Sequence, residues 1–190
     1  MQIIDQHTPR CFTTRYNGRS NVLQNEVAVN NPIFNPISDN NHLAAELTKS
    51  YHTTWDTGAT GSVISKRVVD QLGLVPISVT TVYTAAGPTE ANVYIVDFIL
   101  PNHVIFQKVQ VTQGDIVNTD ILIGMDIIGS GDFSVTLENG KTVFSYRHPS
   151  CECIDYVKIV DANEKAKFNQ GRNNPCGCGS GLKYKDCHGK

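Results

Sequence analysis

Apolar and polar residues alternate in short runs from about residue 43 to residue 149, and little regular patterning precedes them. Residues 1–42 are polar and rich in Asn. Within them NNPIFNPISDNN, residues 30–41, carries two prolines among repeated Asn and Asp, which block regular structure. NVLQNEVAVN before it supplies a candidate strand, so this polar segment is expected to contribute one from about residue 21. LAAELTKSYHTTW then leads into Asp56. In SVISKRVVDQLGL after it, Ile64, Val68 and Leu72 fall four apart, which predicts a helix stopped at Gly73. VPISVTTVYTAAGPTEANVYIVDFIL reads as a long hairpin with a small-residue tip. HVIFQKVQVT is a further strand, with Ile105, Val109 and Val111 on one face. DILIGMDIIGSGDF runs as an apolar strand through Gly124 into a short helix, and FSVTLENGKTVFSY is a hairpin turning at Asn139-Gly140, a type I′ pair.

Several short strands, two short helices and no βαβ alternation predict a mainly β domain over residues 43–149, a closed or sandwich-like barrel. Residues 150–170 lose that character and read as a linker able to hold a short helix. The tail, residues 171–190, is too small for an apolar core and would need a metal to fold. A length of 190 residues suits one such domain with appendages. The net charge of -2, with no long basic run before the last twenty residues, does not suggest a nucleic-acid or membrane-surface partner. The first residues lack a signal-peptide pattern and no window approaches the roughly 20 apolar residues of a membrane span, so a cytoplasmic chain is expected.

Candidate chemistry begins at TTWDTGATGSVIS, residues 53–65. A single carboxylate on a tight turn is a poor catalyst of amide hydrolysis, because water must be activated while the carbonyl oxygen is polarised. Two carboxylates about 3 Å apart share one proton, and one then acts as base while the other acts as acid. Thr57 can hold the turn through its hydroxyl, and Gly58 and Ala59 allow another backbone to approach. A second Asp-Thr/Ser-Gly is absent from the chain, so the other half of such a site must come from a second copy. Taken alone, the tripeptide is also consistent with an Asx turn without chemistry. Its ordered company, a helix, a flap-like hairpin and then ILIGMD, favours the catalytic reading.

With DTGATGSVIS at 56–65, TAAG at 84–87 and ILIGMDII at 121–128, the segment from about Leu43 to Pro149 resembles the retropepsin-like aspartic peptidases. The resemblance implies an acid-protease barrel with short helices, acting as a homodimer on a peptide or protein substrate. It makes Asp56, Thr57 and Gly58 the catalytic turn, with each Thr57 bracing the other subunit. Thr84, Ala85, Ala86 and Gly87 become the tip of a flap over the substrate, and Ile123-Gly124 packs behind the catalytic turn. Asp126 reads as a helix cap or surface partner rather than a second catalytic acid. His52 reads as a solvated or hydrogen-bonded strand residue, and Pro88 is expected to stiffen the flap.

Five of the six cysteines crowd into the last forty positions. Cys176-x-Cys178, eight intervening residues and then Cys187-His188 offer four zinc-type ligands, and the Gly-Ser-Gly between them lets a short chain turn around an ion. Four protein ligands leave no open position, so the zinc would be structural. PCGCGSGLKYKDCHG resembles the SEC-C motif, with Gly177 where Pro is common. That resemblance implies a small docking module for a protein or ribosome-associated partner, with Lys183, Lys185 and Lys190 giving it a mildly basic face. Cys151 and Cys153 lack further ligands nearby in sequence and read as unliganded thiols. The reading that follows is an aspartic endopeptidase with a zinc-bound tail. Its rival from another class is a non-catalytic dimeric peptide-binding or adaptor protein.

Overall fold

KSYHTTW looks too polar for an interior strand, yet its alternation is what builds the barrel: Tyr51, Thr53 and Trp55 are buried while Ser50 and His52 face outward. The buried hydroxyl of Thr53 donates to the Tyr51 carbonyl at 3.0 Å, which removes the cost of burying it. The computed structural model describes residues 8–34, 37, 48–84, 87–168 and 171–189. The chain divides into two compact units, Met1–Cys151 and Glu152–Lys190.

In the first unit the strands are β1 (Arg10–Arg15), β2 (Leu23–Asn30), β3 (Lys49–Trp55), β4 (Val63–Ile64), β5 (Ser78–Thr84), β6 (Gly87–Ile99), β7 (Ile105–Gln113), β8 (Ile121–Ile123), β9 (Asp132–Glu138) and β10 (Lys141–His148). Two short helices, α1 (Lys66–Leu72) and α2 (Met125–Ile128), follow β4 and β8. Seven strands lie in the order β2-β3-β8-β4-β7-β6-β5, and β2 also pairs with β6 through Ala28↔Ile99, Val29↔Phe98 and Asn30↔Asp97. That second pairing closes the sheet on itself, which leaves no open edge around the ring. The unit is a closed, mainly β barrel with short helices. From it β5 and the first half of β6 project as a hairpin, paired from Ser78↔Val93 to Thr84↔Gly87.

Ile64 belongs to β4 and not to the helix that the four-residue spacing predicts. Ser65 is the N-cap, its side chain accepting from the Val68 N–H, so the helix starts one residue later while Ile64 pairs with Ile121 and Gln113. Gly73 ends α1 with φ at 58°, a left-handed conformation that suits Gly.

β1, β10 and β9 form a separate three-stranded antiparallel sheet. β1, RCFTTR, sits in a stretch whose polarity carries no strand pattern of its own; six-residue pairing with β10 supplies what its side chains do not. Asn139 and Gly140 have φ of 50° and 77°, as a type I′ turn between β9 and β10 requires. The two sheets meet through aromatic rings. Trp55 lies 5.3 Å from Phe144, 5.2 Å from Tyr146 and 5.6 Å from Phe12, centroid to centroid. Its Nε1–H donates to Asn25 Oδ1 at 2.9 Å. Rings of this size bury enough area to dominate the local energetics, each pair adding about 0.5–1.5 kcal/mol beyond burial. Trp55 is therefore the anchor of the residue that follows it, Asp56.

The second unit contains α3 (Tyr156–Phe168), in the stretch read as a linker with room for a short helix, and a 3-10 turn, Tyr184–Asp186. No described helix is long and apolar enough to cross a membrane.

Asp132, the first residue of β9, accepts from groups at and just beyond the end of β10: the Ser150 hydroxyl at 2.6 Å, the Cys151 N–H at 3.0 Å and Arg147 Nε at 2.7 Å. These donors, Ser150 foremost, lower its carboxyl from 3.8 to about 2. A lowered carboxyl stabilises the fold above its ordinary value, and the contribution is lost as the pH falls from about 4 toward 2. Asp132→Asn is expected to lower the melting temperature at neutral pH by a few degrees (about 4–8 °C per kcal/mol in a small domain), with the difference from wild type vanishing near pH 2 in a pH series of thermal melts.

Candidate active site and metal centre

The Asp56 turn owes its shape to β8. This three-residue strand runs parallel to β3, with Thr53↔Ile121 and Trp55↔Ile123, and antiparallel to β4, with Val63↔Leu122. It is thus threaded between the two arms of the loop that carries Asp56. The Asp56 N–H donates to the Ile123 carbonyl at 2.9 Å, and the Met125 N–H donates to the Ala59 carbonyl at 2.8 Å. Asp56 Oδ1 in turn accepts from the Gly58 N–H at 2.8 Å. A Cβ at position 58 would stand 3.1 Å from that oxygen, so Gly keeps the turn tight.

Gly124 is fixed by the same packing. A Cβ there would meet the Gly61 carbonyl carbon and oxygen at 2.7 Å and the Ala59 oxygen at 2.9 Å, all backbone atoms that cannot swing aside. Asp126, at the start of α2, holds the loop's far arm: its Oδ1 accepts from the Ser62 hydroxyl at 2.8 Å and its Oδ2 from the Ser62 N–H at 3.0 Å. The Ser62 oxygen also accepts from the Gly124 N–H at 3.1 Å. Asp126 is therefore a clasp on the Asp56 loop. Ser62 was not apparent as a site residue from the sequence, since its partner lies 64 positions away and no local pattern marks the pair.

Asp56 is half-buried, and Thr57 and Gly58 are exposed. The two first residues line a hollow of about 430 Å³ together with Val22, Leu23, Trp55, Phe133 and Val135. A larger groove of about 740 Å³ begins at Gly58 and runs between the 58–63 loop, the β5–β6 hairpin at Val79, Val82 and Tyr83, and β7 at Gln110 and Thr112. The carboxylate itself lines the smaller hollow rather than this groove. Gly87 opens β6 opposite Thr84 with φ at 111°, and Pro88 continues the ladder opposite Tyr83. Ala85 and Ala86 of the expected flap tip lie outside the described residues. His52 is exposed, with Nδ1 3.5 Å from Glu26 Oε1, a surface pair of little energetic weight. Asp120 is occupied by an ion pair with Arg67 at 3.2 Å.

The second unit brings Cys176, Cys178, Cys187 and His188 together, their ligand atoms all within 4.8 Å of one another. Cys178 Sγ is 3.6 Å from Cys187 Sγ, and His188 Nδ1 is 3.3 Å from Cys176 Sγ and 3.2 Å from Cys187 Sγ. A tetrahedral ion with sulfur at about 2.3 Å sets ligands roughly 3.8 Å apart, so the donor set and its spacing fit a metal. The backbone is shaped to the same end. Cys176 is buried and donates its N–H to the Leu182 carbonyl at 2.7 Å, while Gly179 and Gly181 turn the chain with φ of 79° and 77°. The Ser180 hydroxyl and N–H hold the Cys178 thiol down at about 6, favouring the thiolate that a metal needs. Cys11, Cys151 and Cys153 are free and exposed.

Residues 48–130 match the family model described as "gag-polyprotein putative aspartyl protease", and residues 172–190 match that of the SEC-C motif. The chain is 85% identical to the protein translocase subunit SecA of Campylobacter hominis over 53 residues, 28% of this chain and 6% of that one. It is 59% identical to SecA of Brachyspira hyodysenteriae over 34 residues, 18% of this chain and 4% of the relative. It thus spans a small fraction of these relatives' length. Among solved structures it is similar to a retropepsin-like aspartic protease from Rickettsia conorii, at 14% identity and a TM-score of 0.46, covering 74% of this chain and 96% of the other. The EIAV protease in complex with the inhibitor HBY-793 matches at 19% identity and a TM-score of 0.42, over 60% of this chain and 90% of the other.

Gly124→Ala is expected to destabilise the first unit by about 1–3 kcal/mol, the usual range for overpacking, in denaturant titrations. Removal of metal with a chelator is expected to unfold the second unit while the far-UV signature of the β unit persists. Elemental analysis should give one metal ion per chain, lost in Cys187→Ala.

Proposed function

We propose that this chain, which carries a retropepsin-like aspartyl protease domain over residues 48–130 and a SEC-C motif over residues 172–190, is an aspartic endopeptidase acting as a homodimer. The observation that carries this reading is the setting of Asp56: a half-exposed carboxylate on a turn locked to β8, beside Thr57 in a small hollow, next to the groove that begins at Gly58 beneath a projecting hairpin. With a second copy opposite, two Asp56 carboxyls would share one proton. The ionised carboxylate would take a proton from the attacking water, and the protonated one would give its proton to the scissile carbonyl oxygen. Collapse of the resulting diol would return a proton to the leaving nitrogen and break the C–N bond. No covalent enzyme intermediate is needed. Thr57 and Gly58 hold the turn, and Ser62 and Asp126 keep the loop in register with β8.

The substrate would be an extended peptide. The edge of β5, unpaired among the described strands, and the strand-like walls of the groove suit added backbone hydrogen bonds, and the hairpin tip, Thr84 to Gly87, would close over it. Val79, Val82 and Val93 give the groove an apolar lining, so side chains would be selected by shape more than by charge. We assign zinc to the Cys176, Cys178, Cys187 and His188 cluster in a structural role, with no open position for chemistry. The folded module, with Lys183 and Lys185 beside it, would bring the peptidase to a protein or ribosome-associated partner in the cytoplasm, where its cysteines stay reduced.

Asp56→Asn in the full, zinc-loaded chain is expected to cut cleavage of an unstructured peptide library by about 10²–10⁴-fold or more, read by mass spectrometry from acid to neutral pH. The wild-type profile should follow two macroscopic ionisations of the carboxyl pair. A folded, dimeric wild type that cuts nothing would overturn the peptidase reading in favour of a peptide-binding adaptor.

A further inference from the structure

The groove of about 740 Å³ that begins at Gly58 is walled by valines, by Ile116 and by hydroxyl, amide and glycine residues. Among the described residues that line it, one is charged: Asp115. No Lys or Arg stands with it there. The backbone that delivers Asp115 is fixed. The Gly114 N–H donates to the Ile64 carbonyl at 3.0 Å, and a Cβ on Gly114 would stand 2.8 Å from Val63 Cγ1. The chain thus leaves β7 pressed against β4, and the next residue is held at the groove wall.

An Asp in a loop commonly accepts from a backbone N–H two or three residues on, and so serves the shape of the chain. Asp56 does this with Gly58, and Asp155 with Val157 and Lys158. Asp115 does not. It is exposed, and among the described residues it has neither a hydrogen bond nor an ion pair. The next acids along the chain are matched: Asp120 pairs with Arg67 at 3.2 Å, and Asp126 accepts from Ser62. Asp115 is therefore an unmatched carboxylate beside apolar side chains, whose low polarisability focuses its field on whatever enters the groove.

We propose that Asp115 makes this groove select an extended peptide bearing a lysine or arginine, the aliphatic stem lying along the apolar wall and the cationic head meeting the carboxylate. Both parts of such a side chain find a counterpart. A leucine would use the wall and leave the acid unmatched, and a glutamate would meet like charge. Selection by shape along the valines is thereby joined to a single point of charge. This inference rests on the peptide-groove reading above and names the substrate class for it. In a two-fold dimer each protomer brings one Asp115, so the basic positions fall on both sides of the scissile bond.

The test exposes a randomised peptide library to the full, metal-loaded chain at neutral pH, with two arms read by mass spectrometry. One arm records cuts made by the wild type, and the other records peptides retained by the wild type and by Asp56→Asn. Lys and Arg are expected to be enriched about 5-fold over Leu at a fixed position in both arms, the upper end for an ion pair open to water. The enrichment should shrink between about 0.1 M and about 1 M salt, as screening shortens the Debye length from about 10 Å to about 3 Å. Asp115→Asn should abolish it, and Asp115→Lys should turn it toward Glu and Asp. Glu90→Gln, which alters an exposed acid of the hairpin outside the groove lining, should leave it in place. Far-UV circular dichroism checks that each variant is folded. Cuts without basic enrichment, or an enrichment that survives Asp115→Asn, would overturn the role of Asp115 and leave the peptidase reading standing. A folded wild type that retains basic peptides through Asp115 yet cuts none would uphold this inference and overturn the peptidase reading. Neither cutting nor retention would overturn both.

Discussion

β8 passing between the two arms of the Asp56 loop is the constraint on which the first unit turns. Three residues, Ile121 to Ile123, pair with β3 on one side and β4 on the other, and Ile121 and Ile123 are fully buried. Burial of each is worth about 1.5–3 kcal/mol, so the strand is held by its side chains as firmly as by its ladder. Everything next to it is shaped by that passage. Gly124 has no side chain because the loop backbone crosses where one would be, and Asp126 reaches back to Ser62 because α2 begins where β8 leaves the loop. Trp55 secures the other arm through the rings of Phe12, Phe144 and Tyr146.

Local signals were readable where local physics decides. The Asn139-Gly140 turn, the Gly73 stop, the alternation of the hairpin strands and the clustered Cys and His residues all lie within a few positions of their causes. The Asp-Thr-Gly turn was likewise visible, and the hydrogen bond from the Gly58 N–H to the Asp56 carboxylate is local. Pairings over long separations were not. Closure of the barrel by β2 on β6 depends on Ala28 meeting Ile99, and β1 is a strand because β10 offers an edge to it. Thr53 is buried although polar, because its hydroxyl is satisfied by its own strand, and composition alone does not tell such a hydroxyl from a solvent-facing one. Ile64 fitted a helical period by spacing alone, and the Ser65 cap decided against it.

The two units solve the problem of stability by different means. The first buries a continuous cluster from Val27 to Tyr146, including the aromatic set around Trp55. The second has Cys176 as its one buried hydrophobic residue among those described, and its turns converge on four ligand atoms. Removing apolar contacts should therefore loosen the first, whereas the second stands or falls with its ion. A chain built this way can lose one without the other.

The threading of β8 also orders events in time. As the chain leaves the ribosome, Asp56 emerges before the strand that shapes its turn, and the Ser62 hydroxyl waits 62 positions for the Gly124 amide it accepts from. The β1 and β10 side chains of Thr13 and Ser145, which meet at 2.9 Å, are 132 positions apart. Contacts of such separation close late, because the entropy of looping is met before any bond rewards it. The nascent polypeptide thus carries its acidic turn without the β8 contacts that lock it until residues 123–125 have been made, a built-in delay between translation of the carboxylate and the fixing of its loop.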